Sequence, residues 1–182
     1  MWQFTGNQRP TFALDPIEGQ ESVWDYPRPP VCVSDDREVV VRVGACEIAR
    51  SMNAVRVLET ASPPTIYIPS EDVNLELLVK SSQRSFCEWK GSASYWSLVV
   101  NRKSVDSYSD DRPLQIRDCG WSYESPSARF AQLENHFSFY PGRVECWLGG
   151  ERVRAQLGGF YGGWVTSEIV GPWKGEDGTG GW

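Results

Sequence analysis

Histidine and paired cysteine motifs are nearly absent from this sequence. His136 is the only histidine among 182 residues, and none of the five cysteines forms a CxxC pair. A histidine-built metal site and a ribbon-type zinc site are therefore disfavoured, and the odd cysteine count argues against a disulfide framework. A zinc site built only from dispersed cysteines stays an open alternative. The cysteines are Cys32, Cys46, Cys87, Cys119 and Cys146.

Clusters of positive charge and long apolar runs are also missing. The net charge is −6, the pI is about 4.9, and lysines and arginines are scattered singly. Because binding to phosphates or anionic lipid needs a basic surface, we predict no nucleic-acid partner and no membrane partner. No apolar run reaches the length of a membrane span.

These absences predict the cellular compartment of the protein. Without a disulfide framework, the simplest expectation is reduced thiols in the cytoplasm, with no metal and no cofactor. The first residues, MWQFTGNQRPTF, lack the apolar core of a secretory signal. A short cleaved transit segment stays an open alternative.

Tryptophan, in contrast, is abundant, with nine residues in the chain. Its large apolar ring and single N–H suit cores, pockets and interfaces alike. The most informative stretch runs from Cys87 to Trp96 and places a thiol, a carboxylate, an amine and three aromatic rings within ten residues. Such a cluster is either a packed family signature or one wall of a binding site.

Short alternating and β-branched segments predict an all-β, mainly antiparallel domain over residues 37–148, with short helical turns at 70–78 and 127–135. We expect residues 1–36 and 149–182 to form terminal arms that dock through their rings, since large aromatic residues interrupt their proline and glycine runs. Residues 101–118 are polar and predict a long hairpin loop or an insertion. The predicted strands lie at 37–48, 54–60, 65–68, 95–100, 121–123, 137–140 and 143–148, and the last two form a hairpin around Pro141 and Gly142.

Several motifs resemble a bacterial and algal family called domain of unknown function 427. The motifs are PPTIYIPSEDV (63–73), SFCEWKGSASYWSL (85–98), WSYESP (121–126) and FSFYPGRVECW (137–147), and the flanks GQESVWDYPRPP (19–30) and GGFYGGWVTSEIVGPWKG (158–175) resemble its longer photosynthetic-lineage members. The resemblance implies a single domain of the β-tent or half-barrel kind. Relatives of that architecture often hold zinc with CxxC pairs, which this chain lacks.

The family also carries a nucleotidyltransferase-type label, which the residues do not support. Such an enzyme needs a glycine loop between a strand and a helix and two carboxylates that hold Mg²⁺. The glycine runs 158–163 and 178–181 lack that setting, and Asp110 and Asp111 sit in a polar segment typical of a solvated turn.

Cys87 and Lys90 are the sharpest candidates for catalysis. A thiolate beside an ammonium has a lowered pKa and is a better nucleophile. The alternative is a structural cysteine and a lysine whose stem covers a ring. Glu59 or Asp72 could pair with Lys90 or Arg56, in a catalytic or a purely structural role.

An aromatic pocket is the leading functional hypothesis. Aromatic walls with a few polar groups are typical of small-molecule sites and suit a planar or cationic ligand. Alternation places Tyr95 and Trp96 on opposite faces, so only part of the aromatic set lines one pocket. The candidate ligand-binding residues are Glu59, Tyr67, Trp89, Lys90, Tyr95, Trp121 and Tyr123.

Three functions therefore stay open from the sequence. The first is a small-ligand-binding or sensor module. The second is an enzyme that uses Cys87 or Lys90 as a nucleophile on a small metabolite. The third is an interaction or assembly protein, a homo-oligomer in which the terminal arms exchange between subunits.

Overall fold

Two antiparallel sheets dominate the computed structural model of this protein, which describes residues 2–107 and 112–182. Asp110 and Asp111 lie outside the described residues. The strands are β1 (Glu21–Ser22), β2 (Val31–Asp35), β3 (Val39–Val43), β4 (Cys46–Ser51), β5 (Ala54–Glu59), β6 (Ser62–Pro69), β7 (Leu78–Cys87), β8 (Gly91–Asn101), β9 (Pro113–Ser122), β10 (His136–Phe139), β11 (Glu145–Leu148), β12 (Glu151–Arg152), β13 (Arg154–Ala155), β14 (Trp164–Val165) and β15 (Ile169–Val170).

Helical structure is limited to short turns. They are the 3-10 helices Ser70–Asp72, Leu75–Leu77 and Ala128–Leu133 and the single turn α1 (Arg102–Val105). The predicted all-β class with short helical turns is therefore confirmed. None of the described helices is long and apolar enough to cross a membrane.

The main core lies between the two sheets. The larger sheet has the strand order β2-β5-β6-β10-β9-β8-β7, and the smaller has the order β12-β11-β3-β4. Val39 and Val41 of β3 pack with Ile66 and Ile68 of β6 in one apolar cluster, and each is fully buried. Because β-branched side chains fit a pleated surface, these runs form strands whose alternate residues are removed from water.

The larger sheet buries both of its faces. Between Ile66 and Ile68, Tyr67 points to the opposite side and joins a second cluster with Tyr95 and Trp121. Trp96, next to Tyr95, packs instead against Phe137 of the main core, with ring centroids 5.3 Å apart. The alternation predicted for Tyr95 and Trp96 is thus confirmed. The face that carries Tyr67, Tyr95 and Trp121 is the one on which the candidate site lies.

The terminal segments contact each other and the sheets. β1 pairs in parallel with β15, and Trp24, 1% exposed, donates its indole N–H to the Pro172 carbonyl at 2.8 Å. Trp164 of β14 is buried in the main core. β2, which precedes residue 37, is an edge strand of the larger sheet through its pairing with β5.

One local prediction is wrong, and a second is right only in part. Segments 137–140 and 143–148 do not form a hairpin: β10 pairs with β6 and β9, whereas β11 pairs with β3 and β12 in the other sheet. The polar segment 101–118 does connect two paired antiparallel strands, β8 and β9, as the hairpin prediction requires, but the loop is shorter than predicted. The described part of this segment contains α1 and the first half of β9, since residues such as Leu114 and Ile116 pack against the main core.

Candidate functional site

A cavity of about 420 Å³ lies on the second face of the larger sheet. Its floor comes from β5, β6, β8 and β9, one side comes from the turn between β7 and β8, and the terminal segments cover it. All the candidate catalytic and ligand-binding residues predicted from the sequence line this cavity, but the candidate carboxylate Asp72 does not. The candidates that line it are Glu59, Tyr67, Cys87, Trp89, Lys90, Tyr95, Trp121 and Tyr123.

The pairing of β8 with β9 positions the aromatic side chains that form one wall of the cavity. Tyr95 of β8 is the direct register partner of Trp121 of β9, so both rings rise from the same face. The Trp121 indole N–H donates to the Tyr67 hydroxyl at 3.1 Å, and the Trp121 ring lies 4.5 Å from that of Tyr140. Burial raises the pKa of Tyr67 and of Tyr123, which keeps both phenols neutral at neutral pH.

The turn between β7 and β8 presents Trp89 and Lys90. Ser127 holds this turn, because its hydroxyl donates to the Trp89 carbonyl at 2.6 Å and its backbone N–H donates to the Lys90 carbonyl at 3.1 Å. Gly91 closes the turn with φ of 98°, a conformation that side-chain-bearing residues rarely adopt. The Trp89 indole N–H is buried and has no hydrogen-bond partner within residues 2–107 and 112–182.

Lys90 is buried beside Cys87. Burial lowers the pKa of the Lys90 ammonium, whereas the Glu59 carboxylate and the neighbouring Cys87 raise it, and the net direction is upward. The ammonium also lies 5.9 Å from the centroid of the Tyr123 ring. A lysine nucleophile must first lose its proton, so this environment disfavours Lys90 in that role.

The predicted carboxylate pairings are wrong. Glu59 pairs with Arg28, at 3.5 Å between Oε1 and Nη2, and not with Lys90. Arg56 pairs with Glu21 at 2.8 Å. Asp72 accepts the Ser51 hydroxyl at 2.6 Å and is not part of the cavity lining. Only Glu59 of these two candidate carboxylates therefore belongs to the site.

Sequence reasoning missed the residues that cover the cavity. Trp2 donates its indole N–H to Glu88 at 2.8 Å and lies under the Lys174 ammonium, 3.9 Å from the ring centroid. Gln156, Phe160 and Tyr161 add to the lining. The aromatic residues of the terminal segments were a signal for docking, but nothing local in the sequence indicates which surface they reach.

Lys174 is the residue of this cover whose charge is most sensitive to pH. It is 4% exposed, and burial lowers its pKa from 10.5 to about 8 although Glu59 opposes the shift. A depressed folded-state pKa means that the unfolded chain binds more protons between these two values, so stability from this group rises with pH in that window. Below pH 8 the charge is present in both states and its burial is unfavourable.

We expect the unfolding free energy of the native chain to depend on pH more steeply than that of Lys174→Met. From roughly pH 7 to pH 10 the native chain should gain on the order of 2 kcal/mol of unfolding free energy relative to the variant. Urea unfolding at each pH, with reductant present, measures both curves. Taking the difference removes the titration of the thiols and phenols that the two chains share. If unfolding free energy changes with pH equally in the two chains, the lowered pKa assigned to Lys174 is wrong.

Among residues 2–107 and 112–182, no group of three or more histidine, cysteine or acidic side chains is placed to hold a metal ion. All five cysteines are free thiols. The cavity therefore offers aromatic surface, two ammonium groups, carboxylates and one thiol as its chemistry.

A comparison with protein-family models decides which family this architecture represents. The model described as "Domain of unknown function (DUF427)" matches residues 31–150. The chain belongs to this family. The matched region runs from β2 through β11 and so contains every strand that lines the cavity floor. A search of the curated proteins finds no match.

The DUF427 match does not cover the whole site. Trp2, Gln156, Phe160, Tyr161 and Lys174 all line the cavity from outside residues 31–150. The floor of the site is thus a feature of the family region, whereas its cover is contributed by the flanking segments of this chain.

Proposed function

We propose that this DUF427 protein binds a small, flat molecule in the cavity and acts as a ligand-binding or sensor module. The observation that carries the proposal is the cavity of about 420 Å³, whose aromatic walls enclose a few polar groups. Small-molecule sites fall in a range of about 300–1,000 Å³ and have this composition.

The buried Trp89 N–H supports the same proposal. A buried donor without a partner costs about 1–3 kcal/mol, and such groups in folded proteins call for an explanation. A ligand acceptor in the cavity would satisfy this N–H. In this proposal Tyr95 and Trp121 provide stacking surface, while Glu59, Tyr67, Lys90 and Tyr123 are polar anchors. We propose a cytoplasmic location, which the five free thiols support.

The enzymatic alternative keeps one supporting observation, which is that Cys87 and Lys90 line the same cavity. It stays a prediction that Cys87 acts as a nucleophile. The assembly alternative is less well supported, because β1 pairs with β15 and Trp164 packs into the main core within one chain.

Calorimetric titration with naphthalene fragments tests the binding proposal. We expect at least one fragment bearing an acid, an amide or an ammonium group to bind with Kd of about 10 μM to 1 mM, given its size. Cys87→Phe places a ring in the cavity and should weaken that binding about tenfold or more.

Val79→Phe is the matched control for this experiment. Val79 lies on the same strand, β7, is 53% exposed and is not part of the cavity lining. The control variant should bind like the native chain. If no fragment binds, or if both variants weaken binding equally, the proposal is wrong.

A further inference from the structure

Two ammonium groups face the cavity without a carboxylate partner among the described residues. Lys90 is 8% exposed and Lys174 is 4% exposed, and both line the cavity. Across residues 2–107 and 112–182, no carboxylate oxygen lies within 4.0 Å of either nitrogen. Because a buried charge is unfavourable unless it is paired, both groups would gain from an anion in the cavity.

The carboxylates of the cavity already have donors of their own. Glu59 is paired with the Arg28 guanidinium at 3.5 Å. Glu88 accepts the indole N–H of Trp2 at 2.8 Å. Neither acid is therefore placed to neutralise Lys90 or Lys174 at close range.

One buried donor at the cavity is left without an acceptor among the described residues. In the described part of the chain the buried Trp89 N–H has no partner, whereas the Trp121 N–H donates to Tyr67. Gln156 is also satisfied, since it donates to the Lys174 carbonyl at 2.6 Å and accepts the Gly163 N–H at 3.1 Å. A ligand that satisfies the Trp89 N–H must supply an acceptor.

Cations already occupy two aromatic faces at the cavity. Lys90 lies 5.9 Å from the Tyr123 ring centroid, and Lys174 lies 3.9 Å from that of Trp2. Arg28 covers the Trp2 ring as well, at 4.4 Å. A cationic ligand would meet these charges at short range in a largely buried site, where repulsion is poorly screened. The cation–π preference suggested by the aromatic residues alone is thus reversed by the lysines.

We infer that the ligand is a flat aromatic or conjugated acid whose anionic oxygen pairs with Lys90 while its ring lies against Trp89, Tyr95 and Trp121. The inference rests on the proposed function and adds the chemical class of the ligand. Charge-assisted hydrogen bonds from an ammonium to a carboxylate are among the stronger ones in proteins.

Three probes with one ring system test the charge preference: 2-naphthoate, 2-naphthamide and 2-naphthylmethylammonium. By calorimetry on the full chain, naphthoate should bind about tenfold or more tightly than the amide, and the ammonium probe should bind most weakly. Lys90→Met should reduce naphthoate affinity to the level of the amide and leave the amide Kd within about twofold. Lys174→Met should show an acid-specific loss too, and it serves as the test if Lys90→Met does not fold.

Lys80→Met is the matched control, because Lys80 lies on β7, pairs with the exposed Glu124 at 2.6 Å and does not line the cavity. It should leave the affinities of all three probes unchanged. Equal or tighter binding of the amide or ammonium probe overturns the inference while upholding the proposed function. So does an equal loss for all three probes in Lys90→Met. Absence of binding for every probe overturns both.

Discussion

Replacing Trp164 with alanine should lower the free energy of unfolding by about 3–5 kcal/mol, the usual cost of removing a large buried aromatic side chain. Trp164 is 1% exposed, packs in the main core and donates its indole N–H to the Phe139 carbonyl at 3.0 Å. The substitution leaves a cavity and deprives a buried carbonyl of its donor. Because domains are stable by only about 5–15 kcal/mol, this loss would be a large share of the total.

The control is an aromatic residue of the same terminal segment that faces water. Phe160 is 66% exposed, so Phe160→Ala should change the unfolding free energy by no more than about 0.5 kcal/mol. Urea denaturation followed by circular dichroism measures both variants. A loss below about 1 kcal/mol for Trp164→Ala would mean that the segment after residue 149 is not part of the cooperative core.

The floor of the candidate site could be predicted from the sequence because it is built on local alternation. Tyr95 and Trp121 share a face once β8 and β9 pair, and the signature stretch delivers Trp89 and Lys90 from the adjoining turn. Strand period and turn chemistry determine these positions, and both are local properties of the chain.

The change of sheet after β10 could not be predicted in the same way. Pro141 and Gly142 have the turn chemistry of a hairpin, yet the chain leaves one sheet at Phe139 and enters the other at Glu145. Phe139 and Cys146 are both buried in the core between the sheets. Burial of both strands on that core decides the topology, and turn residues alone carry no information about it.

The cover of the site depends on contacts far apart in sequence. Trp2 reaches Glu88 and Lys174, and Gly162 lies so close to Trp121 that an added Cβ would sit 2.2 Å from the indole ring. A glycine run that suggests flexibility is thus, at Gly162, a point of close backbone approach. Irregular segments have no periodicity from which such contacts could be derived.

Arg28→Met should be the second strongly destabilising change, at about 3 kcal/mol or more, because it leaves a buried charge network incomplete. The Arg28 side chain is only 3% exposed and pairs with Glu59. It also donates to the Phe4 carbonyl at 2.7 Å and the Thr60 carbonyl at 2.8 Å. Burial lowers the pKa of the guanidinium, but arginine stays charged at any pH where the protein is folded. Methionine keeps the apolar stem and removes every one of these donors.

Arg9→Met provides the contrast, since Arg9 lies in the same terminal segment and its ion pairs with Asp15, 92% exposed, and Asp25, 49% exposed, are open to water. Surface pairs of this kind contribute about 0–1 kcal/mol, so Arg9→Met should cost no more than that. Adding Glu59→Gln to Arg28→Met should recover about 1 kcal/mol or more, because the uncompensated carboxylate is then removed. Urea unfolding of the four chains of this cycle measures the coupling. Equal costs for Arg9→Met and Arg28→Met, or strict additivity in the cycle, would show that the network around Glu59 does not stabilise the rim of the cavity.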